Sequence, residues 1–182
     1  MRIISGTKKG ILIHAPANLP VRPTTDRSKE SLFNILENNF DLNNLSVLDL
    51  FSGTGNISYE FASRGAKRIL CIDDDPGCIN FIKITSQKLF FTSIKARKQD
   101  VFSFLKSCTE SFDIVFADAP YALNRVSEIP RFVFEKKILN PKGWLILEHA
   151  TNLDLSQQFG FFESRKYGQS TFSFLKGSLL NV

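Results

Sequence analysis

Between Val47 and His149, short uninterrupted apolar runs alternate with longer stretches in which apolar positions recur every three to four residues. The runs predict strands buried on both faces, and the longer stretches predict helices packed against them. In chain order the pattern gives a strand from Val47, a helix over Ile57–Arg64 closed by Gly65, a strand over Arg68–Ile72 and a helix over Pro76–Phe91. It continues with a strand over Ser93–Lys98, a helix over Val101–Cys108, a strand over Phe112–Ala117, a helix over Val126–Leu139 and a strand over Trp144–His149. Such alternation predicts a doubly wound, mostly parallel α/β sheet with right-handed crossovers. Two β-prone runs near the end, Phe161–Tyr167 and Thr171–Lys176, flank Gly168-Gln169-Ser170 and predict an antiparallel hairpin, which brings the sheet to seven strands.

The front of the chain reads differently. Arg2–Ser5 and Ile11–His14 are joined by Gly6-Thr7-Lys8-Lys9-Gly10, which predicts a small β-hairpin extension over residues 1–20 with two lysines at its tip. Residues 21–182 form the main domain. Its first helix follows Thr24 or Thr25 as N-cap, with Asp26 and Glu30 early and Leu32, Ile35, Leu36 and Phe40 on its apolar side.

Length and composition narrow the setting. A chain of 182 residues supports one full core. No apolar run approaches the roughly 20 residues of a membrane span, and Met1–Gly6 lacks the pattern of a signal peptide, so a cytoplasmic protein is expected. Cys71, Cys78 and Cys108 have no metal-ligand spacing, and His14 and His149 pair with no local acid or thiol, so no metal is expected. The net charge of +5 suits an anionic partner and equally suits a solvated surface; only its placement can decide.

The acids carry more information. Ligands of open α/β sheets sit off the carboxyl ends of the strands. At that edge the sequence sets Asp49, Asp73, Asp100 and Asp118, one for each of the first four strands. Any one alone reads as a helix cap, as Asp75 does ahead of Pro76. Four together do not, and they suit no pyrophosphate. The glycine turn Phe51-Ser52-Gly53-Thr54-Gly55 also departs from the dinucleotide fingerprint, with Ser58 where a third glycine would stand. S-adenosylmethionine has an α-ammonium and no phosphate. Asp49 would favour its ammonium, Asp73 would accept from the ribose hydroxyls and Asp100 from the adenine amino group, with Phe51, Gly53 and Gly55 of the turn among the cofactor-binding residues. Five parallel strands followed by a hairpin are the Rossmann-like methyltransferase sheet.

Asp118-Ala119-Pro120-Tyr121 then supplies the chemistry. It resembles the N/D-P-P-Y/F signature of methyltransferases acting on planar exocyclic amines, with Ala119 in place of the first proline. Such an amine is a poor nucleophile because its lone pair is delocalised into the ring. Two acceptors, the Asp118 carboxylate and the carbonyl of Ala119, can each take one N–H and turn the lone pair toward the methyl group. Pro120 keeps residue 119 extended, and Tyr121 would stack on the base. Alone, the tetrapeptide reads as a turn after a buried strand.

M-R-I-I-S-G at Met1, R-P-T-T-D-R-S-K-E-S-L-F-N at Arg22, L-D-L-F-S-G-T-G at Leu48, S-R-G-A at Ser63 and D-A-P-Y at Asp118 together resemble the RsmD family. These are bacterial guanine-N2 methyltransferases of small-subunit ribosomal RNA. The resemblance implies methylation of one guanine within a partly assembled small subunit, by a monomer. It implies that Arg22, Thr24 and Arg27 order the cofactor or the RNA beside the active site, and it places Arg2, Lys8, Lys9, Arg22, Arg27 and Lys29 as RNA contacts. Alternatives are an adenine-N6 methyltransferase, a non-catalytic RNA-binding assembly factor and, disfavoured by Asp49 and Ser58, an NAD-dependent oxidoreductase.

Overall fold

A seven-stranded sheet in the order β3-β2-β1-β4-β5-β7-β6 organises the computed structural model, which describes residues 1–16, 19, 25–121 and 123–177. Its strands are β1 (Ser46–Leu50), β2 (Arg68–Asp73), β3 (Ile94–Lys98), β4 (Phe112–Asp118), β5 (Leu139–Ala150), β6 (Phe161–Tyr167) and β7 (Ser170–Lys176). The first five run parallel, and β7 lies antiparallel between β5 and β6. The helices are α1 (Asp26–Asn39), α2 (Asn56–Ser63), α3 (Pro76–Lys88), α4 (Val101–Ser107) and α5 (Ile129–Glu135). Thr25 caps α1, its hydroxyl accepting from the Ser28 N–H at 3.2 Å. Asp75 caps α3 ahead of Pro76, accepting from Cys78 N–H at 2.7 Å.

The two-residue period of the strands divides the core. Leu48, Leu50, Ile72, Val115, Leu145 and Leu147 face α4 and α5 through Phe102, Leu105 and Val133. Val47, Ile69, Cys71, Ile114, Phe116 and Ile146 face the other way, against Leu32 and Phe33 of α1 and Phe61 of α2. Trp144 packs among Phe40, Phe162 and Phe174, as a structural residue would. By the same period, Asp49, Asp73, Asp118 and Glu148 extend the rows of Val47, Cys71, Phe116 and Ile146, so all four acids project from one face.

Two expectations need correction. The helix expected over Val126–Leu139 is shorter. A 3-10 turn (Val126–Glu128) leads into α5, whose first turn tolerates Pro130, and positive φ at Lys137 ends it. β5 therefore begins at Leu139, with a shift of register between Phe112 and Ile114 of its partner β4. α3 stops at Lys88 instead of Phe91, because Phe90 turns to φ +58°.

The expected N-terminal hairpin is packed onto the main domain. It closes through a 3-10 turn (Gly6–Lys8) and has one antiparallel bridge, Arg2 with Leu12. It is no loose appendage, since Ile3 and Ile13 are buried in the core of α1 and α2. Gly6 lies so close to α2 that a Cβ there would stand 1.9 Å from the Ser63 carbonyl oxygen.

Candidate active site

β1 delivers its chain into a turn that only small residues can make. Gly55 has φ +82°, and a Cβ on it would meet Ile82 and Tyr59 at 3.0 Å. Phe51 also has positive φ, at +56°, a costly setting for an aromatic residue, and its ring meets Phe102 edge-on at 6.4 Å. The Gly53 N–H donates to Asp73 Oδ2 at 2.7 Å, which joins the turn to the end of β2. Asp73 Oδ1 accepts from Asp75 N–H at 2.9 Å. A carboxylate has about four acceptor positions, so about two remain open. Burial raises the Asp73 pKa, and the backbone N–H groups of Asp75 and Gly53 oppose that.

Asp49 stands at the end of β1, one turn before the glycines. It is 2% exposed, and its Oδ2 accepts from the Ser58 hydroxyl at 2.5 Å. Burial pushes its carboxyl up to about 7, with the Ser58 hydrogen bond lowering it and the Asp73 charge raising it. A carboxyl that titrates near neutrality repels phosphate less than a fixed charge would. Ser58, noted in the sequence only as a missing glycine, is the partner that holds Asp49.

Asp100 is exposed and caps α4, accepting from Ser103 N–H at 2.8 Å. In strand order the edge runs Asp100, Asp73, the glycine turn, Asp118. Three strand intervals separate its ends, roughly 14 Å. Asp118 closes β4 and stands in register with Glu148 of β5. Glu148 is buried, and only the pairing of the two strands could have revealed it as a neighbour of Asp118. Ala119 is buried and Pro120 exposed, and the Pro120 carbonyl accepts from Leu123 N–H at 2.8 Å. Tyr121 is 42% exposed, its phenol 2.6 Å from the Ser170 hydroxyl at the start of β7. The hairpin that ends the sheet therefore orients the aromatic ring expected to meet the base. Beside it a cleft of 260 Å³ is lined by Ala119, Tyr121, Val126, His149 and Asn152. His149 is fixed in that wall, with Nε2 2.8 Å from Ser173 Oγ and Nδ1 2.9 Å from the Ala150 carbonyl oxygen. Burial lowers its pKa.

The expected RNA contacts scatter. Arg2 is exposed and pairs with Asp26 at 3.2 Å, and Arg27 is exposed on α1. Lys8 and Lys9 lie with the hairpin tip against Ser63, at the end of α2. α2 starts at the carboxyl edge and runs back, so its last residue marks the opposite edge of the sheet from Asp118. Lys29 is no RNA contact at all. It is 1% exposed, donating to Asn56 Oδ1 at 2.8 Å and the Arg2 carbonyl at 2.5 Å, and lying 3.5 Å from Glu60 Oε2. Its spacing with Leu32, Phe33 and Leu36 already placed it on the buried stripe of α1. Arg22 and Thr24 lie outside the described residues.

Comparison with known proteins joins this geometry to a family. The family described as Conserved hypothetical protein 95 matches residues 1–176. The Bacillus subtilis protein named "Putative rRNA methyltransferase YlbH" is 32% identical over 164 residues, 88% of this chain and 88% of that protein. Ribosomal RNA small subunit methyltransferase D of Haemophilus influenzae is 32% identical over 152 residues, 81% of this chain and 78% of its own. The chain belongs to the RsmD family. A hypothetical protein of Thermus thermophilus shares the fold, with a TM-score of 0.85 at 24% identity over 97% of this chain and 99% of that one. An RsmD-family methyltransferase takes its methyl group from S-adenosylmethionine, and the residues present fit that cofactor. The turn at Gly55 has no room for a side chain, Asp73 keeps acceptor capacity, and Ser52 Oγ is a buried hydroxyl without a partner among the described residues.

Proposed function

We propose that this RsmD-family methyltransferase modifies the exocyclic 2-amino group of a guanine in small-subunit ribosomal RNA, acting in the cytoplasm as a monomer on a partly assembled subunit. The observation that carries the reading is the exit of β4. Asp118 and the Ala119 carbonyl stand one strand away from the glycine turn, with Tyr121 oriented by Ser170 beside them. Asp49, Phe51, Gly53 and Gly55 would hold the methionine end of the cofactor, Asp73 the ribose and Asp100 the adenine. Arg22, Thr24 and Arg27, from the segment that resembles the family's, would order the cofactor or the RNA backbone.

The cofactor supplies an electrophilic methyl group on sulfur. The protein supplies orientation. Asp118 and the Ala119 carbonyl each accept one N–H of the amine, which localises its lone pair, and Tyr121 holds the base plane by stacking. The amine that accepts this methyl group would carry a positive charge. Asp118 stabilises that charge and receives the departing proton, and product nitrogen returns to neutral. The target guanine has to leave its stack to reach Asp118, a cost of a few kcal/mol that is smaller in a loop.

Nucleoside analysis tests this reading. The protein is incubated with methyl-labelled S-adenosylmethionine and either small subunits lacking the modification, free ribosomal RNA or DNA. Label in N2-methylguanine from small-subunit RNA is expected. Label in N6-methyladenine would replace the guanine assignment, and absence of label from every substrate would leave an RNA-binding assembly factor.

A further inference from the structure

α3 ends in a Schellman turn. The N–H of Phe91 donates to the Ser86 carbonyl at 2.9 Å and the N–H of Phe90 to the Gln87 carbonyl at 3.1 Å. The left-handed position of such a turn is ordinarily glycine, and here it holds Phe90 at φ +58°. Phe90 is also 82% exposed, so burial does not offset its conformational cost. Its neighbour Phe91 is the packing residue, buried and stacked on Tyr59 at 6.4 Å. A bulky ring kept in water, in a conformation that disfavours it, has no role in holding the fold.

The surroundings of the ring are basic. Clefts of 410 and 370 Å³ flank Phe90 on its two sides, with Lys8 and Lys67 lining the first and Lys83 the second. Among the described residues, neither lining contains an aspartate or glutamate. The Lys8 ammonium lies 5.9 Å from the ring centroid. α3 begins at the acidic edge and its 13 residues rise about 20 Å, so Phe90 stands at the far edge of the sheet from the methyl-transfer site.

We propose that Phe90 is a stacking platform for an unpaired RNA base, with Lys8, Lys67 and Lys83 contacting the flanking phosphates, so that this surface docks the substrate RNA remote from the acidic edge. The proposal rests on the reading that the substrate is RNA, and adds a second place where that RNA is held. An exposed aromatic ring among lysines suits single-stranded nucleic acid, because every base offers a face to stack and every nucleotide a charge to neutralise.

Binding of the full chain to a fluorescein-labelled, unstructured single-stranded RNA, followed by anisotropy, tests it. Phe90→Asn suits the left-handed position and keeps the fold, which an unchanged or raised melting temperature verifies. Its RNA affinity is expected to fall about tenfold, while Phe90→Trp retains wild-type affinity. Both variants keep their affinity for S-adenosylhomocysteine. Replacing Lys8, Lys67 and Lys83 together by Gln lowers the slope of log affinity against log salt by about two. Wild-type RNA affinity in Phe90→Asn overturns the platform and leaves the methyl-transfer reading standing. A wild-type protein that binds no RNA overturns both. Full RNA affinity in Phe90→Asn combined with lost methylation of assembled subunits assigns the surface to a ribosomal protein and overturns the RNA proposal.

Discussion

Glu60 and Asp49 are both buried on the α1/α2 side of the sheet, yet their surroundings differ sharply. Glu60 accepts from the backbone N–H groups of Ile4 and Ser5 at 2.8 and 3.0 Å and from Arg64 Nε at 2.8 Å, with Lys29 at 3.5 Å. Asp49 is met by Ser58. A carboxylate given two cations and two backbone donors is an anchor; here it ties the N-terminal segment and α1 to α2. A carboxyl given a hydroxyl partner and, among the described residues, no cation is held near its titration point, and it stands at the start of the turn proposed to hold the cofactor. Burial alone therefore does not separate structural from functional acids. The donors around them do.

The comparison breaks most visibly at the anchor. Glu60→Ala strands Lys29 in the core and orphans two backbone N–H groups, so a loss of about 3 to 5 kcal/mol is expected in urea unfolding. A loss within experimental error would make Glu60 an incidental neighbour. Asp49→Asn should act in the opposite direction and depend on pH. The folded state raises the pKa of Asp49 from 3.8 to about 7, so its contribution is fully favourable below the unfolded value and is lost as pH rises through the folded one. The variant is therefore expected to match the wild type near pH 4 and to exceed it by on the order of 2 to 4 kcal/mol at pH 8. Parallel stability profiles between those limits would show that Asp49 is not poised. Ser58→Ala sharpens the same point at smaller scale. It removes about 1 kcal/mol of hydrogen bonding and drives the Asp49 titration further up, which a shifted midpoint in the same profiles would register.

Much of this architecture was legible because it is local. Strands buried on both faces, caps at Thr25 and Asp75, and Gly168-Gln169 between two β-prone runs are each written within a few residues. The misreadings share a cause, which is that apolar periodicity continued past a backbone event. Phe90 and Phe91 prolong the pattern of α3 through a left-handed turn, and Val126–Leu139 reads as one helix although Pro130 starts α5 and Lys137 ends it. At the site, the acids at the strand ends were visible, but their surroundings were not. Ser58 reaches Asp49 through the fold of the glycine turn into α2, and Glu148 in register with Asp118 and Ser170 on Tyr121 come from segments far apart in sequence that only the sheet brings together. Lys29 was read as a surface charge because lysine ordinarily is one, although its spacing with Leu32 and Leu36 pointed inward.

The central claim is that the exit of β4 orients the amine while the exits of β1 to β3 hold the cofactor. Asp118→Ala separates these roles in one pair of measurements: methyl transfer to small-subunit RNA under single turnover, and calorimetric affinity for S-adenosylhomocysteine. Transfer is expected to fall by about 10²- to 10⁴-fold with affinity for the cofactor product nearly unchanged. Turnover at the wild-type rate would contradict the role assigned to Asp118, and with it the account of how this methyltransferase acts on its base.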